Sequence, residues 1–108
     1  MKKYIVMGNY TAKAFQGFMK DPSQDRAAAA TQLSEAVGGK MVSFDIVRGT
    51  YDFVGVITGD IDFEATAAVK LAVESTGTIT NFTILEKMDI NKAAELATKA
   101  MTGYKPAG

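Results

Sequence analysis

The sequence predicts an α+β fold of the ferredoxin-like βαββαβ kind: a four-stranded antiparallel sheet with helices on one face, plus a C-terminal helix. Three observations lead there. Four β-rich runs alternate with runs of helical period in the order β-α-β-β-α-β. Glycines stand at the joints, at Gly38-Gly39, Gly49 and Gly77. The second and third β-runs are separated only by Arg48-Gly49-Thr50-Tyr51-Asp52. A crossover helix does not fit in so short a link, so these two strands form a hairpin. With crossovers of the usual hand the strand order is 4-1-3-2.

The elements follow in turn. Tyr4-Ile5-Val6-Met7 opens a strand that runs to about Tyr10. Thr11 is placed to cap a short helix reaching Lys20, and Asp21-Pro22 breaks it. Ser23 is read as the cap of a second helix, whose stripe is Ala29, Ala30, Leu33 and Val37. Gly38-Gly39 ends that helix. Lys40 to Val47 alternates, with Val42, Phe44 and Ile46 on one face and Met41, Ser43, Asp45 and Val47 on the other. The third strand is expected over Tyr51 to Thr58. Asp62 caps a helix to about Ser75 that buries Phe63, Ala67, Ala68, Leu71 and Ala72, with Glu64, Lys70 and Glu74 toward water. Thr78 to Met88 is the fourth strand. A last helix to about Met101 carries a stripe of Ile90, Ala94, Ala97 and Met101. Residues 1–102 form one domain in this reading, and 103–108 are a loose tail.

Composition narrows the function classes. The 108 residues hold 12 basic and 12 acidic side chains and neither Cys nor His. Disulfides, thiolate nucleophiles and the commonest metal ligands are therefore missing. Balanced charge gives no electrostatic reason to bind nucleic acid or an anionic membrane. No apolar run approaches the ~20 residues of a membrane span. No signal peptide is recognisable, and the chain is read as cytoplasmic. Asp60 and Asp62 begin like a calcium loop, but Phe63 and Ala65 stand where oxygen donors are needed. Helix capping is the reading there, and neither metal nor cofactor is expected.

The candidate site residues are Tyr10, Arg26, Tyr51 and Asp52, with Lys20 as an alternative cation. Placed around a cleft between the sheet and the first helix, they would bind a small anionic or phenolic ligand through charge-assisted hydrogen bonds. The competing reading makes Asp52 and Arg48 a hairpin ion pair and Tyr51 a packed aromatic. On a strand, Tyr51 and Asp52 would lie on opposite faces.

The ordered set Asn9-Tyr10-Thr11, Gly17, Lys20-Asp21-Pro22, Arg26, Gly38-Gly39-Lys40, Gly49-Thr50-Tyr51-Asp52-Phe53-Val54 and Gly77 resembles the GYD domain family over about Lys3 to Leu85. The resemblance implies a ferredoxin-like fold akin to the dimeric α/β barrel proteins and brings no established activity. Thr58-Gly59-Asp60-Ile61-Asp62 departs from the family pattern, which has an acidic residue and a proline-containing turn there.

The leading functional expectation is a non-catalytic homo-oligomeric module that binds a small molecule or a protein. Its partner copy would cover the open sheet face, which includes Met41, Ser43, Asp45, Val47, Asn81, Thr83 and Leu85. The alternatives are a cofactor-independent enzyme, an oxygenase or isomerase of the dimeric α/β barrel kind, and a self-assembling structural protein.

Overall fold

The computed structural model describes all 108 residues. Its elements are β1 (Lys2–Tyr10), α1 (Ala12–Lys20), α2 (Arg26–Ala36), β2 (Lys40–Ile46), β3 (Phe53–Gly59), α3 (Phe63–Ser75), β4 (Ile79–Glu86) and α4 (Ile90–Met101). The strands form one antiparallel sheet in the order β2-β3-β1-β4, as expected. Tyr4, Val6 and Tyr10 of β1 point to the helix side, as do Phe53 and Ile57 of β3. Ala14 of α1, Leu33 of α2 and Val69 of α3 pack against them. No helix is long and apolar enough to cross a membrane.

Two bulges change which side chains reach the core. Between β2 and β3, Met41 pairs with Ile57 and Ser43 with Val56, so β2 carries one extra residue at Val42. Met41 therefore shares the helix side with Phe44, where strict alternation had put it on the open face. Between β1 and β4, Met7 pairs with Thr83 and Asn9 with Thr80. The extra residue on β4 coincides with Asn81, whose φ of 55° is left-handed. Ile79 and Phe82 both reach the core as a result.

Helix α3 is rotated from the expected phase. Thr66 and Val69 are buried, whereas Phe63 and Leu71 are 49% and 72% exposed. The β4 bulge supplies a reason. Lys70 Nζ donates to the Phe82 carbonyl at 2.7 Å, and the Phe82 amide donates to Glu74 Oε2 at 3.0 Å. Lys70 and Glu74, expected in water, form an i,i+4 pair at 3.3 Å and together satisfy the Phe82 peptide groups. Peptide groups beside a core need partners, and this face of α3 is the one that brings Lys70 and Glu74 to them.

Capping differs from expectation at two helix starts: Thr11 makes no cap bond to α1, and the cap of α2 shifts. Asp25, not Ser23, caps α2, its carboxylate accepting from the Ala28 amide at 3.0 Å. The Ser23 hydroxyl instead donates to Asp21 at 3.0 Å. Asp62 and Asp89 cap α3 and α4.

The clasp has a pH signature. The Phe82 amide, aided by Lys70, holds the Glu74 carboxyl below the usual carboxylate range, against the opposing effect of desolvation. A depressed folded value means its contribution is present above the unfolded value of about 4.3 and is lost as pH falls through the folded value. Thermal unfolding followed by circular dichroism should show the midpoint falling across that acid range. Glu74→Gln should unfold at a lower temperature at neutral pH and lose less on acidification.

Candidate functional site

The segment between β2 and β3 is a six-residue loop, Val47 to Asp52, rather than a tight turn followed directly by strand. Gly49 adopts φ 145°, a region costly for any other residue. Strand β3 begins only at Phe53, so Tyr51 and Asp52 lie in the loop and strand alternation does not separate them. Arg48 makes no ion pair with Asp52; the two ion pairs of the molecule are Met1 with Asp60 and Lys70 with Glu74.

Asp52 is instead tied to β1. The Tyr10 amide donates to Asp52 Oδ2 at 2.8 Å, and the Asp52 amide donates to the Gly8 carbonyl at 2.8 Å. Asn9 Nδ2 donates to the Thr50 carbonyl at 3.0 Å and to Asp52 Oδ2 at 3.4 Å. Asn81 at the β4 bulge donates to Asn9 Oδ1 at 3.1 Å, so one side chain joins three strands' ends. Gly8 lets the Phe53 ring come close: a Cβ there would stand 2.8 Å from Phe53 Cζ. The Tyr10 ring lies 4.9 Å from Phe18 and 5.3 Å from Phe53, which fixes its orientation.

The next anchor is at the α1–α2 junction. The Asp21 amide donates to the Gly17 carbonyl at 2.9 Å, and Gln24 Nε2 donates to the same carbonyl at 3.2 Å. Gln24 in turn accepts from Arg26 Nη1 at 3.0 Å. No carboxylate is within ion-pair distance of Arg26. Thr11 sits at the N-cap of α1 without capping it; its hydroxyl donates to the Gly77 carbonyl at 2.7 Å and ties α1 to the end of α3.

These anchors surround an apolar cavity of about 70 Å³ between the sheet and helices α2 and α3. Thirteen of its fifteen lining residues are hydrophobic, and the other two are Arg26 and Ser34. Ser34 spends its hydroxyl on the Ala30 carbonyl at 3.0 Å, which leaves Arg26 as the charged group of the lining. A groove of about 460 Å³ between α2 and α3 shares Arg26, Ala29, Leu33, Val73 and Ile79 with the cavity. Its walls include Ala36 and Ala72. A third hollow of about 280 Å³, against α1, contains Tyr10, Lys13 and Arg26. Burial pushes the Tyr10 phenol above its ordinary value; the Arg26 charge opposes this and Asp52 adds to it. Tyr10 is therefore a neutral hydrogen-bonding group at pH 7.

Of the four sequence candidates, Tyr10 and Arg26 line the same cavity. Asp52 stands behind Tyr10 on its backbone, and Tyr51 is half-buried in the loop and lines none of the three hollows. Lys20 lines none of them either. No group of three or more acidic side chains converges to hold a metal. Asn9, Gln24, Lys70 and Glu74 are positioning residues that periodicity does not reveal.

Asp52→Ala leaves the Tyr10 amide without its acceptor and should cost about 1–3 kcal/mol in urea unfolding. Asp52→Asn, which keeps a carbonyl oxygen, should cost less. Gly8→Ala should lose a similar amount by forcing the Phe53 ring aside, about 1–3 kcal/mol.

No curated protein matches the chain. Two solved structures do. FFRP-DM1 aligns with a TM-score of 0.53 and 11% identity, covering 82% of this chain and 100% of that one. TTHA0845 from Thermus thermophilus aligns with a TM-score of 0.52 and 15% identity, covering 82% of this chain and 95% of that one. At such identities the likeness concerns the fold alone. The GYD domain model matches residues 4–97, past the expected end at Leu85 and into α4. The bonded pairs Asn9–Thr50, Tyr10–Asp52 and Thr11–Gly77 are thus contacts among the motif residues of a family to which this chain belongs, the GYD domain family.

Proposed function

We propose that this GYD domain protein is a non-catalytic binding module for a small amphipathic molecule with an anionic or phenolic head. The observation that carries the reading is Arg26: a guanidinium without a carboxylate partner, on the wall of an otherwise apolar cavity. Arginine in a weakly solvated place gains most from a carboxylate or phenolate, which it can grip with two parallel hydrogen bonds. The Tyr10 hydroxyl provides a second polar contact and discriminates by hydrogen bonding. The ligand's apolar part lies along Ala29, Leu33, Val73 and Ile79, where cavity and groove meet. The enclosed part is far below the ~300–1,000 Å³ of a drug-sized site, so the ligand is small or extends along the open groove.

The module acts as a homo-oligomer through its open sheet face in this reading. Ile5 pairs with Val56 and with Leu85, and Met7 pairs with Val54, which makes a continuous apolar block on the side away from α1–α3. Such a patch favours burial against another copy.

Native mass spectrometry of the protein purified from its own source reports subunit number and any retained molecule together. Calorimetry with benzoate, 4-hydroxybenzoate and decanoate as probes tests the cavity. Arg26→Gln should weaken the best probe about ten-fold or more, the worth of a charged hydrogen bond. Tyr10→Phe should weaken the phenolic probe more than decanoate. Binding that is indifferent to Arg26→Gln, or the absence of binding by every probe, overturns the ligand reading. An 11.5 kDa species alone at micromolar concentration overturns the oligomer reading.

A further inference from the structure

Helix α4 is well formed and nearly uncovered. Asp89 caps it, accepting from the Asn91 amide at 2.9 Å and the Lys92 amide at 3.2 Å. Its apolar arc joins Ile90, Ala94, Ala97 and Met101, and continues through Ala93 and Ala100 to Leu96. None of its residues is buried, and Ile90, Leu96 and Met101 are 64%, 57% and 56% exposed. A 12-residue helix is marginal in water on its own and owes its stability to packing of such an arc.

The shape of the molecule says the same. It measures 62 × 31 × 23 Å, with a radius of gyration of 18.0 Å against about 13 Å for a compact chain of this length. Its accessible surface is 7477 Å², whereas a compact monomer of this mass exposes about 5,800 Å². The excess of about 1,700 Å² is twice what one partner gives up in a standard interface, about 800 Å². The Lys87 amide donates to the Lys3 carbonyl at 2.9 Å, which ties the chain to β1 and leaves only Met88 and Asp89 between that anchor and α4.

We propose that α4 is an exchanged arm: its apolar arc docks on the open sheet face of a second copy, and that copy returns its own α4. The inference rests on the self-association read above and adds the element that makes it stable. The receiving surface is the block of Ile5, Met7, Val54, Val56 and Leu85. Alanines along the arc let a helix lie close to a flat sheet, while Ile90, Leu96 and Met101 supply the anchors. The chain has no net charge, so two copies meet without long-range repulsion. A two-fold dimer makes the contact twice.

The full chain contains no cysteine, so single introduced cysteines report unambiguously. Light scattering of the wild type should give twice 11.5 kDa. The double variant Ile90→Glu, Leu96→Glu should weaken dimerisation at least ten-fold, with sheet circular dichroism and benzoate binding retained. A mixture of Met7→Cys chains with Leu96→Cys chains should form mixed disulfide dimers under mild oxidation, in excess over either homodimer. A wild-type dimer whose dissociation constant is unchanged in the double variant overturns the arm while sparing self-association. A monomeric wild type overturns both, and leaves α4 to a different partner.

Discussion

Tyr10 is the last residue of β1, and its amide donates to the carboxylate of Asp52. Everything at the candidate site is referred to that bond. Asp52 reaches it from the end of a loop whose path depends on Gly49, and its own amide is held by Gly8. Gly8 admits the Phe53 ring, which carries one side of Tyr10. Asn9 spreads the constraint to Asn81, where β4 bulges, and Lys70 with Glu74 clasps the next residue from α3. A few short polar contacts thus fix an aromatic wall that apolar packing alone would leave free to slide.

The same contacts explain why the motif residues occur together. Gly49-Thr50-Tyr51-Asp52 lies 38 residues or more beyond Asn9-Tyr10-Thr11 in the chain, yet the two segments meet through three side-chain hydrogen bonds. Gly17 and Asp21 hold Gln24, and Gln24 holds Arg26. Most of the signature is scaffold, and its output is the placement of Tyr10 and Arg26 on one cavity. The chemistry that remains free is a lone guanidinium and a neutral phenol beside apolar walls. That combination suits recognition of a small molecule with one polar end.

Strand order and the sequence of elements are readable because they follow from β-branched runs, glycine positions and helical period. The phase of individual faces was less so. Alternation fails at Val42 and at Asn81, since a bulge shifts every later side chain and leaves little trace in composition. For α3 the apolar residues form a broad arc, and the choice of face falls to the peptide groups of Phe82, which a single-helix analysis does not contain. Arg26 and Tyr10 could be singled out by type, but their meeting at one cavity depends on the helix pair α2–α3 standing apart. The loop position of Asp52 was hidden because Tyr51 has strong β propensity and masks the late start of β3.

Amide hydrogen exchange at Tyr10, measured by NMR at neutral pH, tests the central bond most directly. The Tyr10 amide should be protected in the wild type, and Asp52→Ala should remove this protection while amides deep in β1 stay slow. A Tyr10 amide that exchanges in the wild type as fast as in an unstructured peptide, or that keeps its protection without the Asp52 carboxylate, contradicts it.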